Sequence, residues 1–69
     1  MEREFIDAAK RGDEKYISDY REKVSRKTLK NALSAIKTAR RSFNDPTANY
    51  KQHEERLNVI ESMIEGQLS

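Results

Sequence analysis

Apolar residues recur every three or four positions along most of the chain, and this spacing predicts α-helices. The pattern is clearest in one stretch whose apolar positions share one arc of a helical wheel: Leu29, Ala32, Leu33, Ile36, Ala39 and Phe43. No segment shows the strict alternation of apolar and polar residues that indicates a half-buried strand. The sequence therefore predicts an all-α fold.

Two shorter helices are predicted before this stretch. The first runs from about Glu2 to Lys10 and is followed by Gly12, which tolerates the positive φ common after a helix end. Asp13 is expected to cap the second helix, because its carboxylate can accept hydrogen bonds from free amides of the first turn. The expected buried stripes are Phe5, Ile6 and Ala9 in the first helix, and Tyr16, Ile17, Tyr20 and Val24 in the second.

Ser25 is expected to cap the long third helix, and residues 44–47, Asn-Asp-Pro-Thr, are predicted to form a turn. Pro46 suits the first position of a fourth helix, which is expected to run to about Glu65 and to stop near Gly66. Its main apolar stripe is Tyr50, His53, Leu57, Ile60, Ile64 and Leu68, and Val59 and Met63 form a second stripe about 100° or more away.

A chain of 69 residues fits one small helical domain over residues 1–69, with three to four short helices packed as antiparallel hairpins. Apolar residues make up 35% and charged residues 38%, so the core is small and support from a partner or a second copy is plausible. The chain contains no cysteine, no signal-peptide pattern and no apolar run long enough to span a membrane. These features favour a soluble, cytoplasmic protein that does not enter membranes.

The formal charge of +2 conceals a strong asymmetry: residues 1–20 carry −2, residues 21–41 carry +7 and residues 42–69 carry −3. Five bases of the central block share one flank of the third helix: Arg26, Lys27, Lys30, Lys37 and Arg41. Three uses of this flank stay open, namely a surface that is solvated or faces the acidic outer helices, a site for an acidic protein, and a site for nucleic acid. Arg40 points into the apolar arc instead, so it is expected either to extend its guanidinium to solvent or to pair with an acid such as Glu61.

Residues 7–17, Asp-Ala-Ala-Lys-Arg-Gly-Asp-Glu-Lys-Tyr-Ile, resemble the helix, Gly-Asp turn and helix of an ankyrin-type repeat. Residues 28–35 are similar to the start of the next repeat's first helix, and residues 53–64 to its second helix. The resemblance implies that Ala8 and Ala9 pack closely against a neighbouring repeat. It also implies a protein-binding module.

Residues suited to catalysis are sparse. His53 is the single histidine, and the sequence His-Glu-Glu-Arg-Leu lacks the second histidine, four positions on, of a helical zinc site. We expect His53 to be a half-buried packing residue. Calcium-binding loops, glycine-rich phosphate loops and nucleophile elbows are absent from the sequence as well. We therefore expect no enzymatic activity, no metal site and no cofactor.

Together these patterns predict a small non-enzymatic protein–protein interaction module or regulator. It is expected to act through the basic flank of the third helix, together with Val59 and Met63. The expected partner is a protein, either an acidic one or a second copy of the chain. The alternative is a nucleic-acid-binding helical protein that uses the basic third helix, and the compact size also permits a stand-alone scaffold or inhibitor of phage or mobile-element type.

Overall fold

The structure is a computed structural model, and it describes residues 2–41 and 50–69, apart from the side chain of Tyr50. Within these residues the chain forms four α-helices and no strand. The helices are α1 (Glu2–Arg11), α2 (Glu14–Tyr20), α3 (Arg26–Arg41) and α4 (Tyr50–Leu68). The predicted all-α fold is confirmed. The predicted turn at residues 44–47 and the predicted core residue Phe43 lie outside the described residues.

Side-chain caps begin two of the helices where the sequence predicts them. The Tyr16 N–H donates to Oδ1 of Asp13 at 3.1 Å at the start of α2. In the same way, the Thr28 N–H donates to Oγ of Ser25 at 3.2 Å at the start of α3. Gly12 joins α1 to α2 with a φ of 81°, a conformation that side chains with a Cβ rarely adopt. Both predicted caps and the predicted role of this glycine are confirmed.

Two predicted helix ends differ from the structure. Helix α2 ends at Tyr20, and the chain turns over residues 21–24, where the Lys23 N–H donates to the Tyr20 carbonyl at 2.9 Å. Val24 still packs against the core from this turn. Helix α4 continues through Gly66 to Leu68, because one glycine near a helix end costs only about 1 kcal/mol and the helical hydrogen bonds persist.

The core is assembled from all four helices. Helices α1 and α4 each contact the other three, whereas α2 and α3 do not contact each other. Because Ala8 and Ala9 are fully buried and small, α1 can approach its neighbours closely. The buried apolar residues of the described ranges are Phe5, Ala8, Ala9, Ile17, Leu29, Ala32, Ile36, Leu57, Ile60 and Ile64.

The helices pair as two antiparallel hairpins. Helix α2 folds back along α1, so that the Tyr16 hydroxyl donates to Oε2 of Glu4 at 3.4 Å. Helices α3 and α4 are tied at the start of α3 by Arg26, whose Nη1 donates to the Leu68 carbonyl at 3.1 Å. Because Leu68 ends α4, this contact fixes the antiparallel direction of the second hairpin.

Candidate interaction surface

The basic flank of α3, defined as Arg26, Lys27, Lys30, Lys37 and Arg41, is exposed along its whole length. Helix α3 contains no acidic residue that could neutralise it. The ion pairs within residues 2–41 and 50–69 are Arg11 with Asp13 and Arg40 with Glu61, and neither involves a flank residue. The described acids therefore leave the flank without an ion pair inside the chain, and its charge faces solvent.

Arg40, which is not part of the flank, contacts α4, as the sequence predicts. Its Nη1 lies 3.4 Å from Oε2 of Glu61, and its Nη2 donates to Oδ1 of Asn58 at 2.8 Å. The two charged side chains are only 31% and 21% exposed, so solvent screens their attraction less than on an open surface. The predicted pairing with Glu61 is confirmed, and this contact sets how the end of α3 lies against α4.

Three acids lie on the side of α4 that contacts Arg40 of α3. Glu54, Glu61 and Glu65 are spaced by seven and four residues, so they share one side of the helix with Asn58. Because Arg40 contacts both Asn58 and Glu61, that side of α4 is the one next to α3. We call Glu54, Glu61 and Glu65 the acidic row of α4.

The acidic row is a feature that the sequence analysis missed. Its spacing is visible in the sequence, but a wheel for one helix does not say which neighbour each side meets. The signal that could have found it is the predicted pairing of Arg40 with Glu61. That pairing, extended by helical periodicity to Glu54 and Glu65, places the row beside α3.

A shallow depression marks the end of the basic flank. Lys37, Arg40 and Arg41 line it, and its volume is about 320 Å³. The last carbonyl groups of α3 carry partial negative charge, which favours cations in this turn. The three cations are therefore favourably placed at the end of the helix. The flank residues Lys37 and Arg41 remain exposed there.

The structure does not join Val59 and Met63 to the basic flank. Both lie more than about 100° around α4 from the acidic row, on the side where the Arg56 Cβ approaches Gly12 between α1 and α2. Met63 is half-buried and packs against the core, and Val59 is 46% exposed. A single exposed valine is ordinary for a protein surface. Their predicted role in partner binding stays a prediction, at a place separate from the flank.

An open groove of about 640 Å³ lies between α1, α3 and the start of α4. Nε2 of His53 is 3.2 Å from the Lys10 carbonyl oxygen at its edge, and the ring is half-buried, as predicted. No group of three or more potential metal ligands occurs in the part of the chain that the structure describes. The groove is lined by Lys10, Asn31, Ser34, Ala35, Thr38, Ala39 and His53.

Comparison of the chain with protein-family models, with curated proteins and with solved structures finds no match. The ankyrin-type resemblance of residues 7–17 therefore stays a prediction. Among the described helices, none is both long enough and apolar enough to cross a lipid bilayer.

Proposed function

We propose that the chain is a small non-enzymatic interaction module that binds a protein partner through the basic flank of α3. The observation that carries the proposal is the set of five exposed bases on one side of a single helix, none of them in an ion pair with the described acids. Unpaired like charges held this close repel one another and raise the local positive potential. A partner with carboxylates at matching positions would relieve that repulsion.

The rigidity of α3 makes the flank suitable for recognition. The helix has 16 residues and is about 24 Å long. It is anchored by the buried residues Leu29, Ala32 and Ile36 and by the contact of Arg40 with α4. The flank bases therefore project from a fixed scaffold, and only their own side chains must be ordered on binding.

The surroundings of the flank favour a protein over a nucleic acid. The acidic row of α4 lies beside it and would repel a continuous phosphate backbone. The described aromatic rings of Phe5, Tyr16 and Tyr20 pack together in the α1–α2 hairpin, so none is on the flank to stack on a base. A protein surface can present negative and positive groups in alternation, as this face requires.

The ankyrin-type resemblance supports the same class of function. It implies a protein-binding module, and the small residues that carry it, Ala8 and Ala9, are fully buried where α1 meets its neighbours.

The proposal is tested by capture at low salt with the purified chain as bait, followed by mass spectrometry with and without nuclease. We expect a protein that is retained after nuclease treatment and is lost with the double variant Lys30→Glu/Lys37→Glu. The matched control is Arg3→Glu/Lys15→Glu, which has the same net charge but changes exposed bases of α1 and α2. The control should retain the partner.

Two results would contradict the proposal. One is a partner bound equally by both double variants, since the flank would then have no part in binding. The other is retention of nucleic acid alone, with an affinity that falls about a hundredfold or more between 50 mM and 200 mM salt. That outcome would support the alternative hypothesis, in which the chain binds nucleic acid.

A further inference from the structure

The outer face of the α3–α4 hairpin is bipolar. The basic flank and the acidic row belong to neighbouring antiparallel helices, which are linked by Arg40 with Glu61 and Asn58 and by Arg26 with the Leu68 carbonyl. Lys51 is exposed at the first turn of α4 and is the one described base on the acidic side. A partner that covers this face must therefore carry an acidic row opposite α3 and a basic row opposite α4.

The α3–α4 face of a second copy carries both an acidic row and a basic row, as such a partner must. A two-fold axis that lies in the interface, parallel to the helices, brings the α3 flank of one copy over the α4 row of the other. The same rotation brings the second α3 over the first α4, so both pairings form at once. A two-fold axis across the helices would instead place base on base and acid on acid.

We propose that the partner of this face is a second copy of the chain, related by the two-fold axis parallel to α3 and α4. The inference rests on the proposed function, because it names the occupant of the same flank. In the dimer each flank lies between the acidic row of its own α4 and that of the other copy. Like charges are thereby separated, and opposite charges meet across the interface.

The size of the face sets the strength of this dimer. The two helices present an area about 24 Å long and about 20 Å wide, near the lower limit for a specific interface. The apolar groups beside the two rows are few: Leu33 and Leu68 are half-buried and already pack against the core. The dimer should therefore be weak and depend on charge, so that it dissociates as salt is raised.

A charge-swap experiment tests the pairing of rows. Lys30→Glu/Lys37→Glu reverses two of the five charges of the flank, and Glu54→Lys/Glu65→Lys reverses two of the three charges of the acidic row. By sedimentation velocity at low salt, we expect the wild type to dimerise and each variant alone to do so at least about tenfold more weakly. An equimolar mixture of the two variants should form a heterodimer. Circular dichroism establishes that each variant is folded.

A third variant controls for the effect of net charge alone. Asp7→Lys/Asp19→Lys has the same net charge as Glu54→Lys/Glu65→Lys but changes exposed acids of α1 and α2. Alone, it keeps the wild-type face and should dimerise as the wild type does, whereas Glu54→Lys/Glu65→Lys alone should not. Equal self-association of these two variants would overturn the proposed pairing of rows.

The outcomes separate this inference from the proposed function. A wild type that stays monomeric at about 1 mM and low salt would overturn the dimer. If that monomer still captures another protein through the flank, the proposed function stands without the dimer. If Lys30→Glu/Lys37→Glu changes neither self-association nor capture, both are wrong.

Discussion

The two glycines of this chain occupy opposite backbone environments. Gly12 has a φ of 81°, and a Cβ added there would lie 3.4 Å from the Arg56 Cβ and from the His53 ring. Gly66 lies within α4, and an added Cβ would meet nothing within 4 Å. The same substitution should therefore have opposite effects at the two sites.

We predict that Gly12→Ala lowers the free energy of unfolding by about 1 to 2 kcal/mol, because the left-handed conformation is unfavourable for alanine. Gly66→Ala should raise it by up to about 1 kcal/mol, since alanine is the better helix former. Urea unfolding followed by circular dichroism measures both. Equal effects of the two substitutions would mean that the turn between α1 and α2 is not the one described.

The cap of α2 gives the stability a dependence on pH. The Tyr16 N–H, with the Arg11 guanidinium adding to its effect, holds the pKa of Asp13 below its ordinary value of 3.8. A carboxyl whose pKa is lowered by folding stabilises the folded state above the ordinary value. This contribution is lost as the pH falls through the lowered one.

We therefore predict that Asp13→Asn lowers the thermal unfolding midpoint at neutral pH, because the neutral amide lacks the charge that favours a helix start. The difference from the wild type should shrink as the pH falls below 3.8. Thermal melts at a series of pH values follow it. A difference that stays constant down to strongly acidic pH would contradict the role of the ionised carboxylate.

At the scale of the elements, the contact of α3 with α4 combines a core and a polar clamp. Arg40 and Glu61 lie at the edge of the buried stripe, with Asn58 as a second partner of the guanidinium. We predict a coupling energy of about 0.5 to 1 kcal/mol from a double-mutant cycle of Arg40→Gln and Glu61→Gln. Zero coupling in urea unfolding would show that the pair does not help to hold the hairpin.

Neighbouring positions of α4 give a direct test of its orientation. Ile60 is fully buried, whereas Val59 is 46% exposed. Ile60→Val should lower the free energy of unfolding by about 0.5 to 1.5 kcal/mol, and Val59→Ala should change it by less than about 0.5 kcal/mol. Chemical unfolding of both variants checks this. A larger cost at Val59 would place the second apolar stripe inside the core.

Most of the helix pattern could be predicted from single residues. Asp13 and Ser25 act through local hydrogen bonds, and the apolar period of α3 needs no knowledge of its neighbours. The end of α2 was predicted wrongly because the apolar Val24 was assigned to the buried stripe of the helix. In the structure Val24 packs against the core from a turn. The end of α4 was predicted wrongly because Gly66 was taken as a stop.

The arrangement of the whole molecule is what the sequence could not supply. The basic flank could be predicted from the period of α3 alone. The position of the acidic row relative to α3 follows only from the contact of Arg40 with Glu61. The same packing turns Val59 and Met63 to a different side of α4, so the predicted composite surface of flank and apolar stripe is divided. Which sides of two helices meet depends on the packing of all four.

The binding of a protein partner by the α3 flank is tested most directly by mapping the surface. Amide resonances of the isotope-labelled chain would be recorded by NMR as the captured partner, or unlabelled chain, is added at low salt. We predict shift changes concentrated in residues 26–41 and 54–65 that disappear in Lys30→Glu/Lys37→Glu. Shift changes confined to α1, α2 or the surroundings of Val59, or changes that persist in that variant, would contradict the account.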